Sequence, residues 1–151
     1  MEHHPDVLMT KLISGKVTFV HRDLWPPVVG FGRAREPWQM RNLWPEGRKL
    51  LAQVDRGPAE PNRGVSKAVA ELEIRLLVFS EQFHSESGAH VRRLESWDHW
   101  SSRIGEVGGP IPAERARLLL EDVVSSLNRR FNGSGVCPGR NDPAADRAYI
   151  P

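Results

Sequence analysis

Between Leu43 and Trp97 the spacing of apolar residues changes from three-and-four to two, and no other feature of the chain constrains its fold as much. In NLWPEGRKLLAQVDRG, Leu43, Gly47, Leu50, Leu51 and Val54 share one helical face, leaving Arg48, Lys49 and Gln53 for solvent. Pro45 suits a first turn, where its missing N–H would have had no partner anyway. Gly57-Pro58 ends the pattern, because glycine suits a left-handed cap and proline cannot continue a helix. PAEPNRGV reads as a loop. In VSKAVAELEIRLLV, Val65, Ala68, Val69, Leu72 and Leu76 form one apolar face, with Lys67, Glu71, Ile74 and Arg75 toward the other. Ser66 offers its hydroxyl as an N-cap. After Leu76 the period drops to two: Val78, Ser80 and Gln82 alternate with Leu77, Phe79, Glu81 and Phe83, as in a strand. Ser85-Glu86-Ser87-Gly88 supplies a turn and His90 to Leu94 a return strand, which passes into a helix between Leu94 and Trp97.

A helix, a second helix and a two-stranded wing make the body of a winged helix-turn-helix domain. The spacing predicts helices over 45–55 and 66–76, and a hairpin whose turn includes Ser87-Gly88. Ahead of this body, KLISGKVTFV carries a Ser14-Gly15 turn and a β-branched run that favours a strand. Leu24, Trp25, Val28, Val29 and Phe31 predict a helix, with Asp23 as N-cap and the Pro26-Pro27 pair in its first turn; Glu36-Pro37-Trp38 reads as a break. Behind the body, Ala116, Leu119, Leu120, Val123, Val124 and Leu127 give an amphipathic helix. Its acidic residues precede Arg129-Arg130, the order the helix dipole favours. NGSGVCPGRNDPAADRAYIP holds few apolar groups and several breakers. The expected architecture is therefore α+β and mainly helical. It comprises a flexible start over 1–10, one winged-helix domain over 11–131 with an N-terminal strand-and-helix extension and a C-terminal amphipathic helix, and a disordered tail over 132–151.

A chain of 151 residues suits one domain. A net charge of +2 with a pI near 9.0 is mildly basic, which suits a nucleic-acid binder without requiring one. The single Cys137 excludes an internal disulfide and argues for a reducing cytoplasm. No apolar run is long enough for a membrane span, and MEHHPDVLMTKLI is too polar for a signal peptide. The expectation is a cytoplasmic protein with no membrane partner.

VSKAVAELEIRLLV followed by FHSESGAHVRRLESWDHW, after an LxPxxRxLLxxV helix, resembles winged-helix proteins of actinobacteria. These are similar in turn to the winged-helix modules of AlkZ/YcaQ-type DNA glycosylases. VTFVHRDLW at Val17 to Trp25 and LNRRF at Leu127 to Phe131 look like the same group, so the resemblance spans roughly residues 12 to 133. The glycosylases carry a Gln-x-Gln or Gln-x-Asp catalytic motif that has no counterpart here, since Gln39 and Gln82 stand alone. The resemblance implies a binding architecture and not glycosylase chemistry.

In that architecture the second helix enters the major groove while basic groups on helix and wing neutralise phosphates. Lys67, Arg75, Arg92 and Arg93 are placed for this, with Arg63 in the preceding loop; Glu71 and Glu73 in the same helix would repel phosphate. The bland alternative is a solvated helix face with a Glu71–Arg75 pair contributing ~0.3–0.5 kcal/mol. His84, Glu86 and His90 flank the wing turn, but with His99 they make a poor zinc set beside a polar, solvent-facing wing tip. Cys137 has no histidine near it in sequence, and GFGR at Gly30 to Arg33 lacks the lysine-serine of a phosphate loop. Trp25, Trp38, Trp44, Trp97 and Trp100 lie at segment junctions, where packing at helix seams outweighs base stacking. No catalytic residue, metal or cofactor is expected. The leading function is a nucleic-acid-binding or regulatory module with duplex DNA as partner. Its rivals are a protein-interaction module, with a protein partner or a homodimer, and a repair accessory protein.

Overall fold

The computed structural model describes residues 4–105, 107–109 and 111–139. Strands β1 (Val7–Ile13) and β2 (Lys16–His21) form an antiparallel hairpin. Helices α1 (Trp25–Gly32), α2 (Pro37–Met40), α3 (Pro45–Arg56) and α4 (Ser66–Ile74) follow. A second antiparallel hairpin, β3 (Phe79–His84) and β4 (His90–Glu95), leads into α5 (Trp97–Ile104) and α6 (Ala113–Phe131). The fold is α+β, with both sheets two-stranded. Both helices expected between Leu43 and Leu76 are present, as is the hairpin, with Gly88 at φ 80° in its turn.

Two hydrophobic clusters carry the packing. The larger joins Leu8, Leu12 and Val20 of the first hairpin to Val28 and Phe31 of α1, Trp97 and Trp100 of α5, and Ala116, Leu120 and Val124 of α6. The smaller joins Leu50, Leu51 and Val54 of α3 to Ala68, Val69 and Leu72 of α4, closed by Val78 and Leu94. Trp25, Trp97 and Trp100 are buried and meet edge to face, so these tryptophans pack seams as expected. Gly30 and Gly32 serve the same packing. A Cβ on Gly30 would lie 2.4 Å from the Ile111 carbonyl oxygen, and one on Gly32 would lie 2.5 Å from the Trp97 indole nitrogen.

A polar knot joins the clusters. Gln39, fully buried on α2, donates through Nε2 to the carbonyls of Gly32 (2.9 Å), Arg75 (3.1 Å) and Leu76 (3.4 Å). Its Oε1 accepts the Glu36 N–H at 2.8 Å. The Trp97 indole donates to the Leu76 carbonyl at 3.0 Å. Leu76 itself takes φ 53°, which turns the chain out of α4. Its N–H reaches the Glu73 carbonyl and the Leu77 N–H reaches that of Leu72, the paired closure normally built on a glycine. Total burial of the leucine side chain and the bonds on its carbonyl hold this unfavourable conformation in place.

Several local expectations are corrected. Helix α4 ends at Ile74 rather than residue 76, because Leu76 stops it without any glycine signal. Ser66 is the first helical residue and not the cap; Asn62 instead accepts the Gly64 N–H at 2.9 Å in a 3-10 turn over Arg63–Val65. Asp23 does not cap α1, whose opening prolines remove N–H groups that a cap would serve. Pro37 begins a turn of helix, closed by reciprocal Glu36 and Gln39 bonds, where a break was expected. Gly57 ends α3 at φ 153°, ψ 173°, not in the left-handed cap conformation. The flexible start is corrected for residues 7–10, which lie in β1 with Leu8 buried.

The tail is corrected for residues 132–139. Asn132 takes φ 52° and turns the chain back, and Asn128 then makes two side-chain hydrogen bonds to Gly135. The Ser14 N–H donates to the Val136 carbonyl at 2.8 Å, and Cys137 is buried in the larger cluster. Hydrogen bonds and the burial of Cys137 together order this segment. The expectations for 1–3 and 140–151 lie outside the described residues.

At the far end of β4, Glu95 is buried beneath Arg103 and His99, both on α5. Burial pushes its carboxyl up, but hydrogen bonds and charge from Arg103 and His99 outweigh that and hold it below the usual carboxylate range.

Replacing Gln39 by Leu removes the donor from three buried carbonyls. It should lower unfolding free energy by about 2–4 kcal/mol in urea titration. A change under about 0.5 kcal/mol would show that the knot does not hold the clusters together.

Candidate nucleic-acid interface

Helix α4 is amphipathic in sequence but packed on most sides in the structure. Helix α3 covers one face, β1 approaches another, and the second hairpin closes the C-terminal end. Charges placed on such a helix must be neutralised within the protein. Glu71, Glu73 and Arg75 are all buried, which overturns the solvated face expected for Glu71 and Arg75.

Arg75 is part of the fold, not of a contact surface. Its guanidinium donates to the carbonyls of Gln39 (2.9 Å), Arg41 and Asn42 (3.5 Å), and lies 3.9 Å from the Glu71 carboxylate. Glu71 in turn accepts the Trp44 N–H at 3.0 Å. Gly47 leaves room for it, since a Cβ there would lie 2.6 Å from the Glu71 oxygen. Arg75 is therefore withdrawn from the expected phosphate-binding set. Side-chain periodicity could not reveal this, because the carbonyls it satisfies lie 33 to 36 residues earlier.

Glu73 makes the other buried network. Its carboxylate pairs with Lys11 Nζ at 2.9 Å and with Arg92, and accepts the Ser80 hydroxyl at 3.0 Å. A cleft of about 350 Å³ opens above it, between the turn that begins α4 and the second hairpin. Lys11, Arg63, His90 and Arg92 stand around this cleft with Asn62, Ser66 and Gln82. Glu73 is the one carboxylate among the described residues lining it. The sequence placed Arg63 and Arg92 in the set. It missed Lys11, which arrives from β1 more than sixty residues before Glu73. The lysine had no visible signal, because the approach of β1 to α4 is a tertiary fact.

The remaining expected residues fall on the flanks. Lys67 is exposed on the first turn of α4. Arg93 lies on the opposite face of the hairpin from Arg92, paired with Glu60 at 3.1 Å and stacked 4.9 Å from the Phe83 ring centre. His84 and His90 face each other across the strand pair at 4.3 Å. Among the described residues, no group of three or more His, Cys, Asp or Glu is arranged to hold a metal ion. No described helix is long and apolar enough to cross a membrane.

Compared with known proteins, the chain matches no family model, no curated protein and no solved structure.

If Arg75 belongs to the fold, Arg75→Ala should lower stability by about 3–5 kcal/mol, because Glu71 is left buried without its partner. Lys67→Ala, on an exposed turn, should change it by less than about 0.5 kcal/mol. Chemical denaturation of both variants checks this, and similar values for the two would return Arg75 to the surface.

Proposed function

We propose that this chain is a winged helix-turn-helix module that binds duplex DNA without catalysis, with α3 and α4 as the two helices and β3–β4 as the wing. The observation that supports it is the cationic cleft between the start of α4 and the wing, where Lys11, Arg63, His90 and Arg92 surround a single buried carboxylate. Lys67 extends the positive charge on one side, and Arg93 stands on the other face of the hairpin beside Glu60. Glu71 and Glu73, which in an open helix would repel phosphate, are enclosed and paired. What remains toward solvent suits contact with the backbone rather than base readout. Because β1 lies against α4, the helix offers mainly its first turn to a groove.

A protein-interaction module on the same fold is the second reading. It draws on the outer face of the first hairpin, where Val17 and Phe19 are 60% and 65% exposed beside Met9.

With Arg63, Lys67, Arg92 and Arg93 on phosphates, log K against log salt should have a slope of about −3 to −4. Arg92→Ala with Arg93→Ala should reduce that slope by about two and weaken all duplexes alike. Glu73→Gln should tighten binding by freeing Lys11 and Arg92, whereas Glu71→Gln should leave it unchanged. Fluorescence anisotropy with random duplexes reads all four. No binding at low salt, or binding indifferent to the arginine pair, would favour the protein-interaction reading.

A further inference from the structure

Two histidines stand at the tip of the second hairpin, and the strand register decides how they meet. Leu94 exchanges both of its backbone hydrogen bonds with Ala59, at 2.8 and 2.9 Å, so its N–H and C=O point away from β3. Ser80 and Leu94 are therefore a non-hydrogen-bonded pair of the β3–β4 ladder. Such pairs recur at every second rung, through Gln82 and Arg92 to His84 and His90. One rung further, the Ser85 N–H donates to the Ala89 carbonyl at 2.9 Å, as the alternation requires. Non-hydrogen-bonded pairs bring opposite side chains closest. His84 and His90 accordingly have ring centres 4.3 Å apart and planes inclined at 51°, and both are exposed to solvent.

That separation has a chemical meaning. An ion–nitrogen bond is about 2.0–2.1 Å long, and the centre of an imidazole lies about 1.2 Å beyond its nitrogen. Two imidazoles at right angles on one ion thus have centres about 4.6 Å apart, against about 5.3 Å at the tetrahedral angle. The observed 4.3 Å suits the right angle. We propose that His84 and His90 chelate one divalent ion of tetragonal preference, Cu2+ ahead of Ni2+, at the tip of the hairpin. Among the described residues no third His, Cys, Asp or Glu joins the pair, so the remaining positions fall to water or a small anion. Zinc, which takes three or four protein ligands in tetrahedral geometry, suits the pair less well. Arg63 and Arg92 stand with His90 around the cleft and oppose a further positive charge. Arg92 is already paired with Glu73, and solvent at the tip screens the rest. The proposal does not depend on nucleic-acid binding.

The experiment is calorimetric titration of Cu2+ into the full chain in a non-coordinating buffer. His3 and His4 adjoin in sequence and can bind copper themselves, so every protein tested carries His3→Ala and His4→Ala. One ion should bind per chain, and its electron paramagnetic resonance should show two imidazole nitrogens. His84→Ala and His90→Ala should each weaken binding about a hundredfold, since the second imidazole of a chelate acts at high effective concentration. His21→Ala and His99→Ala should leave it unchanged. The resonance of the chain that keeps both hairpin histidines needs no further variant, so an alanine that unsettles the hairpin cannot mimic a positive result. Splitting from a single imidazole would overturn the proposal. So would equal affinity with and without the His84–His90 pair, or a loss at His21 or His99 instead.

Discussion

Gln39 and Arg75 hold two hydrophobic clusters in register, and the rest of the structure depends on that junction. Neither cluster extends across the seam at Leu76, so apolar contact alone leaves their relative position loosely specified. Buried carbonyls supply the specification. Those of Gly32, Arg75 and Leu76 converge on one amide, and those of Gln39, Arg41 and Asn42 on one guanidinium. A typical hydrogen bond contributes only about 1 kcal/mol net, but a buried group left unpaired costs about 1–3 kcal/mol. The penalty for breaking the knot, more than the gain from making it, keeps α4 where it is.

That placement decides the electrostatics of the cleft. Once α4 is fixed among α3, β1 and the second hairpin, Glu71 and Glu73 each keep only 7% of their surface exposed. Each recruits a cation: Arg75 for Glu71, and Lys11 with Arg92 for Glu73. The two networks differ in consequence. Arg75 is sealed inside, whereas Lys11 and Arg92 are 29% and 42% exposed and keep part of their charge on the surface. A mildly basic chain thereby sets Lys11, Arg63 and Arg92 around one cleft without a large net charge.

Much of this was legible in the residues, and the failures have specific causes. Leu43 to Val54 and the alternation after Leu76 gave α3 and the second hairpin, because each buries one face and so shows its period. Helix α4 buries nearly every face, so its pattern of charge misled: Glu71 and Arg75 looked solvated because nothing nearby in sequence covers them. Leu76 in a left-handed turn gave no stop signal, since its conformation is imposed by Gln39 and Trp97 from elsewhere in the chain. Residues 133–139 looked too polar to pack, yet Asn128 and Ser14 order them by hydrogen bonding. Of the proposed contact residues, Arg63, Lys67, Arg92 and Arg93 were visible from composition and position. Lys11 required the tertiary fold.

The central proposal is that α4 is a structural helix whose first turn, with the second hairpin and Lys11, forms a surface for duplex DNA. Backbone hydrogen exchange with and without a short duplex tests it most directly. The account predicts slower exchange over residues 62–67, over 82–92 and at Lys11. It also predicts no change over 39–44, where Arg75 is bound. Protection confined to α6 or to the first hairpin, or none over the cleft at saturating duplex, would contradict it.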